Sequence, residues 1–227
     1  MKEAEEFDPK LFLSNVGTGR TIVSFRKGHV IFALGDESDA FYVIQAGLVT
    51  LRAGTKHGRE APIDIVSKGD FVGKESIAGE SLRWTSAIAL TDCKLLRIEQ
   101  KVMMQKLAEE ATLANAVCAH LLARNLHYMQ DLVELRTTCC EKRLAQILLR
   151  LGRLDASDSP ETTIPKLNQT MLAELVGTTR SRVSCFLNGF RNSGFIDYGR
   201  GSKELRLRPS LFDFYADKLL TPEPVTI

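Results

Sequence analysis

TMLAELVGTTRSRVSCFLNGFRNSGFIDY, residues 170–198, sets two short apolar-periodic segments on either side of a single glycine. Asn168 or Thr170 is positioned to cap a first helix, QTMLAELV (169–176). Gly177 can close it in the left-handed conformation that a tight interhelical turn needs. Thr178 or Thr179 then caps a second helix starting at Arg180. On it Val183, Phe186, Leu187 and Phe190 share one face, so Arg180, Ser181, Ser184 and Cys185 project from the other, near the N-terminus. Such a helix end suits the major groove of a duplex: arginine grips guanine with two hydrogen bonds, and the free N–H groups of the first turn attract phosphate. Arg180, Ser181, Ser184 and Cys185 are the candidate base readers. Gln169, Thr170, Thr178, Thr179 and Arg182 are candidate phosphate contacts.

Downstream, GFIDYGRGSKELRLR (194–208) reads as two short strands around GRGSK, a wing whose Arg200 and Lys203 are further phosphate candidates. Charge supports this. Residues 1–139 hold 17 Lys and Arg against 18 Asp and Glu, whereas 162–208 hold 8 against 3. The net charge of +2 is therefore concentrated late in the chain, the electrostatic footprint of a polyanion-binding surface.

Upstream, residues 20–97 alternate short apolar runs (TIVSF, HVIFAL, AFYVIQ, LVTLRA, IDIVS, TSAIAL, KLLRI) with turn segments that hold Gly28, Gly35, Gly47, Gly58 and Gly69. That rhythm predicts an antiparallel β sandwich or roll. From Gln100 to Arg136 there is neither glycine nor proline, which predicts helix with a bend near Glu110. Leu107, Ala111, Ala114, Cys118, Leu122, Leu126, Met129 and Val133 make one stripe along it. The stripe either packs on the β domain or forms a seam against a second copy, and its small residues favour the seam. EKRLAQILLRLGRLD (141–155) predicts another amphipathic helix ending near Gly152, followed by a loop, ASDSPETTIP. Residues beyond Pro209 are expected to pack at an edge or fray. The expected domains are 1–110, a β-roll sensor with flanking helices; 111–137, a dimerisation helix and hinge; and 138–227, a winged helix-turn-helix.

With 227 residues, 44% hydrophobic and 26% charged, the composition is that of a folded soluble chain. MKEAEEFD at the start lacks the order of a secretory signal, and no apolar run is long enough to cross a bilayer, so a cytoplasmic protein with no membrane partner is expected. Five cysteines without CxxC spacing argue against a disulfide framework and against zinc. Cys139 and Cys140, adjacent at the hinge, invite a redox role without establishing one. No catalytic constellation is present, so an enzyme is not expected.

GDFVGKE (69–75), AIALTDCKLLRI (87–98), the long helix and LAELVGTTRSRVSCFLNGF (172–190) together resemble the family of the cyclic AMP receptor protein and the fumarate-nitrate reduction regulator, the Crp/Fnr family. The resemblance runs from about Asn15 to Arg208. It implies an α+β chain with a cyclic-nucleotide-binding-like β roll, a long dimerisation helix and a C-terminal winged helix-turn-helix. It also implies a homodimeric transcription regulator on double-stranded DNA, with RNA polymerase as a partner. The alternative is a cyclic-nucleotide-binding module that regulates a protein partner, and the winged segment speaks against it. Where many members carry another base-reading arginine this chain has Cys185, so its preferred sequence should differ.

In cyclic-nucleotide-binding members, the segment after GDF supplies a glutamate for the ribose and an arginine-serine pair for the phosphate. A gap-free reading puts Lys74 at the glutamate and Trp84-Thr85 at the pair. Glu75 and Arg83 are one residue away, and Met129 and Gln130 fall where the long helix meets the purine. The candidate effector region is therefore Gly73, Lys74, Glu75, Ser76, Arg83, Trp84, Thr85, Met129 and Gln130. Cyclic AMP, another small anion and no ligand all stay open. The cysteines do not match those of iron–sulfur sensors, since the first is Cys93, so no iron–sulfur cluster is expected.

Overall fold

A computed structural model describes residues 8–54, 58–154, 162–198, 202 and 204–216. The chain forms two compact units that divide between Gln130 and Asp131.

In the first unit, eight strands build two antiparallel four-stranded sheets. Sheet order β1-β8-β3-β6 uses Arg20–Phe25, Cys93–Glu99, Ala40–Ala46 and Phe71–Val72. Order β2-β7-β4-β5 uses Val30–Phe32, Thr85–Ala89, Val49–Gly54 and Glu60–Val66. The expected period of two fails in β3, where Ala40 to Ile44 are all buried because both faces of the strand are covered, and in β8 the adjacent Leu95 and Leu96 are buried on opposite faces between the exposed Lys94 and the half-buried Arg97. Tyr42, Ile44 and Leu95 point between the sheets. Phe41, Val43, Leu96 and Ile98 point outward to a second cluster, completed by Phe12 of helix α1 (Pro9–Phe12), Met103 of α2 (Gln100–Glu109), and Leu113 and Val117 of α3 (Ala111–Thr137). At the β3–β4 turn, Gly47 has φ 89°, and a Cβ there would lie 2.4 Å from the Asp92 carbonyl oxygen. Between α2 and α3, Glu110 is extended (φ −118°, ψ 93°), the bend the sequence predicts.

The second unit packs α4 (Cys140–Leu154), α5 (Gln169–Val176), α6 (Arg180–Asn192) and α7 (Ser210–Ala216) with a three-stranded sheet of order β10-β11-β9: Ile196–Asp197, Glu204–Leu207 and Thr162–Pro165. α4 ends at Leu154, two residues past Gly152, as expected. The missing side chain of Gly152 makes room for the sheet, since a Cβ would sit 2.8 Å from Thr162 Cγ2 and 3.0 Å from Leu207 Cδ1. The expected loop needs correction. The end of the expected loop is strand β9, paired with β11. After Pro209, the described residues 210–216 form α7 and pack: Leu211 is fully buried, and the Phe214 ring lies 5.5 Å from Phe190 and 5.3 Å from Phe195; the rest of the stretch expected to pack at an edge or fray lies outside the described residues. No described helix is long and apolar enough to cross a membrane.

Candidate nucleic-acid interface and effector region

Asn168 caps α5, its side chain accepting from the Thr170 amide at 2.8 Å. Gly177 ends α5 at φ 73°, and its N–H returns to the Ala173 and Glu174 carbonyls. Thr179 caps α6, accepting from the Arg182 amide at 3.4 Å. Val183, Leu187 and Phe190 are buried and seat α6, whereas Phe186, expected on the same face, is half-buried near the Arg182 guanidinium.

Arg180, Ser181 and Cys185 are exposed and Ser184 is half-buried, and the first turn holds no acidic residue. The base-reading candidates thus occur together on one accessible flank. Asn188 and Asn192 extend that flank: they follow Ser181 and Cys185 by two helical turns and both are exposed. That spacing was the available signal for them. Asparagine can pair with two adenine edge atoms, so they join the candidates.

Thr170 and Arg182 are exposed; Gln169 and Thr178 are half-buried. Thr179 uses its hydroxyl for the cap and for a contact with Ser181 Oγ at 3.1 Å, which makes it a structural cap first. Arg200 and Lys203 lie outside the described residues. Two cations not singled out by sequence, Lys166 and Arg191, stack on Tyr198 at 4.6 and 5.1 Å from its ring centroid. Stacking on an aromatic face holds a cation in place without neutralising it.

In the first unit the strand pleat decides the effector region. Arg83 points inward and is 2% exposed, whereas Trp84 points out and is 65% exposed, so the gap-free assignment of Trp84 to an anion site is wrong. Arg83 is already engaged: it donates to the Gly73 carbonyl at 3.3 Å, to the Ala40 carbonyl at 2.7 Å and to Asp39 Oδ1 at 3.5 Å, and it lies 4.4 Å over the Phe32 ring. Gly73, at φ 77°, permits this approach, since a Cβ there would be 2.5 Å from Arg83 Nη1. Ser76 is buried and donates to the Gly73 carbonyl at 2.8 Å. Thr85 donates to Glu75 at 3.2 Å.

Met129 and Gln130 are exposed and do not join this region. Their place against the β roll is taken by His120, Arg124 and Tyr128, at successive turns of α3. Asp64, whose side chain is 1% exposed, accepts from Arg124 and, at 3.0 Å, from Tyr128. Asp70 lies 3.9 Å from Arg124 and 3.7 Å from His120. Burial would lower the Arg124 pKa, but Asp64 and Tyr128 outweigh it and raise the value above normal. Burial and then Arg124 hold the Lys74 amine below its ordinary pKa. Burial raises the Tyr128 phenol, with Asp64 adding to the rise.

A cyclic nucleotide needs an acceptor for its ribose and an uncommitted guanidinium for its phosphate. Lys74 offers no acceptor, the Glu75 carboxylate is taken up by Thr85, and the Nη groups of Arg83 serve protein oxygens while its Nε is buried without a partner, so in this arrangement the region does not present those groups to a ligand. Among the described residues, no group of three or more His, Cys, Asp or Glu could hold a metal ion.

α3 is apolar on two faces. Leu113 and Val117 are buried in its own unit. On the opposite side Ala111 and Cys118 are exposed, and Leu122, Leu126, Met129 and Val133 are each more than half exposed. Ala114 is half-buried at the margin. Leu107 leaves the expected seam, because it sits in α2 and packs on the core beneath the β roll.

Residues 22–110 match the model of the cyclic nucleotide-binding domain, and residues 142–210 that of the Crp-like helix-turn-helix domain. The chain is 27% identical over 176 residues to a CRP-like cAMP-activated global transcriptional regulator of Mycobacterium tuberculosis, covering 77% of this chain and 79% of that one. It is 29% identical over 188 residues to the global nitrogen regulator of Synechococcus elongatus, covering 80% and 85%. FixK2 of Bradyrhizobium japonicum has a similar fold, with TM-score 0.73 at 19% identity over 86% of this chain and 96% of that chain. A Crp/Fnr-family regulator of Thermus thermophilus gives TM-score 0.70 at 24% identity over 86% and 98%. With a nucleotide-binding-type β roll, an exposed basic recognition helix, and both family models matched in that order, the chain belongs to the Crp/Fnr family of DNA-binding transcription regulators.

Proposed function

We propose that this regulator works as a homodimer in which two copies of α6 enter successive major grooves of a two-fold-symmetric site. The half-sites would lie about 34 Å apart. One observation carries the reading: Arg180, Ser181 and Cys185 stand exposed on a capped helix whose first turn has no acidic residue. Arg180 grips a guanine, and Ser181 and Ser184 read neighbouring edges. Cys185 makes only a short contact where an arginine would reach farther. Gln169, Thr170, Thr178, Thr179 and Arg182 hold phosphates, and Arg200 and Lys203 are further phosphate contacts.

The outward face of α3 supports the dimer. Burying a leucine-sized side chain contributes about 1.5–3 kcal/mol, so four such residues per subunit offset an association cost of about 4–15 kcal/mol. Leu122, Leu126, Met129 and Val133 supply those four. RNA polymerase is the partner to which such a dimer presents itself, a role drawn from the family. Activation by cyclic AMP, named for the Mycobacterium protein, is not carried over, because Lys74 stands where the ribose acceptor would be and Glu75 and the Nη groups of Arg83 are engaged within the protein.

The test is a fluorescence-anisotropy titration of the full chain against genomic DNA fragments at two salt concentrations, beside its sedimentation mass. A few fragments should bind far more tightly than the rest, as a dimer, with affinity falling steeply with salt. Equal binding to all fragments, or a monomer on its best fragment, would overturn the reading.

A further inference from the structure

We propose that Arg143 is a positioning residue for DNA recognition, tying the last turn of α3 to the turn of the helix-turn-helix and so setting the direction of α6. This rests on the dimeric DNA-binding reading above.

A guanidinium has five N–H donors, and every one of Arg143's is engaged. Nε and Nη2 converge on the Val176 carbonyl at 3.0 and 2.8 Å. Nη1 donates to the Leu135 carbonyl at 3.0 Å and the Thr138 carbonyl at 2.6 Å. Nη2 also meets Cys140 Sγ at 3.4 Å. Leu135 lies at the end of α3, Thr138 in the connection, Cys140 at the start of α4 and Val176 at the end of α5. Carbonyls at helix C-termini lack intrahelical donors and carry the negative end of the dipole. One cation therefore caps two helices at once.

The capped site adjoins the recognition helix. Val176 precedes Gly177, where a Cβ would meet Leu135 Cδ1 at 3.4 Å and Arg143 Nη2 at 3.7 Å. Arg180 follows within one more turn of chain. The end of the helix carrying the proposed dimer seam is thus fastened to the end of α5, four residues of chain before the helix that reads DNA begins. In a dimer, that fastening fixes the separation of the two reading helices. Lysine cannot replace it, because its donors sit on one atom and do not form a planar fork.

Full-length wild type, Arg143→Lys and Arg143→Ala are titrated against the operator the wild type selects, and against the same half-sites with the spacer lengthened by one and two base pairs. Wild type should prefer the selected spacing by about tenfold or more, the scale of coupling such networks carry. Both variants should bring that ratio toward one, with the dimer mass and the penalty for a mutated half-site unchanged. Hydrogen exchange should quicken at residues 177–180 in the variants, while the amides of Leu172 and Leu187 keep their protection. Variants that retain the wild-type spacing ratio, or lose it only together with that protection, would overturn the clamp and leave the functional reading intact. A wild type that selects no operator would instead sink the functional reading, and the clamp with it.

Discussion

Arg83 and Trp84 are neighbours at the entry to β7, and the pleat sends their side chains to opposite faces. A gap-free comparison gives Trp84 the inward position; the fold gives it to Arg83 and then occupies that guanidinium with the Gly73 and Ala40 carbonyls. Residue identity was legible here and register was not, because a one-residue slip inverts every facing. Asp64 is a second instance: nothing local marks it, yet it anchors Arg124 and Tyr128 across 60 and 64 residues of chain. A buried ion pair contributes little net stability, but removing one member strands the other, so Asp64→Ala should cost the sensor unit about 3–5 kcal/mol in urea denaturation. His120 gives a pH signature. Burial lowers its pKa, Lys74 and Arg124 add to the lowering, and Asp70 opposes it. The unfolded chain therefore takes up this proton first as pH falls. Stability from His120 is full above the ordinary histidine value and declines below it, so between about pH 7.5 and 5.5 wild type should lose stability that His120→Gln does not. At the interface, Arg180→Ala should cost about 1–3 kcal/mol on the best operator at matched salt and relax selection at one base pair. An unchanged affinity would remove Arg180 from its role.

The elements divide by how locally they are encoded. α5 and α6 could be read to within a residue at their starts, because caps and a left-handed glycine act over three or four positions: Asn168, Gly177 and Thr179 all serve as that logic requires. The end of α4 could be read to within two residues, but the reason for Gly152 could not, since it lies in Thr162 and Leu207, which reach it only through tertiary packing. α3 presented the harder ambiguity. Its apolar residues fall on two faces, and periodicity alone cannot say which one meets the β roll. Leu113 and Val117 take that place and leave Leu122, Leu126, Met129 and Val133 facing solvent. Leu126→Glu should accordingly leave the monomer fold and its circular dichroism intact, while sedimentation equilibrium shows at least about a tenfold weaker dimer, as burying an unpaired carboxylate demands.

At the scale of the molecule, the prediction concerns what the sensor answers to. Calorimetric titration with cyclic AMP or cyclic GMP should give no binding at concentrations up to about 100 μM, an affinity limit near −5.5 kcal/mol, and operator affinity should not change. Saturable heat with tighter DNA binding would show that Arg83 and Lys74 rearrange to admit the ligand. The order of the chain, β roll then long helix then winged helix-turn-helix, and the basic bias of its last third were written in the sequence, because periodicity, caps and charge are properties of neighbouring residues. Which arginine is held inside the roll, which face of α3 stays free, and how Arg143 gathers carbonyls from the ends of α3 and α5 arose only with folding. Those outcomes depend on side chains that are distant along the chain and meet only when strands pair and helices pack.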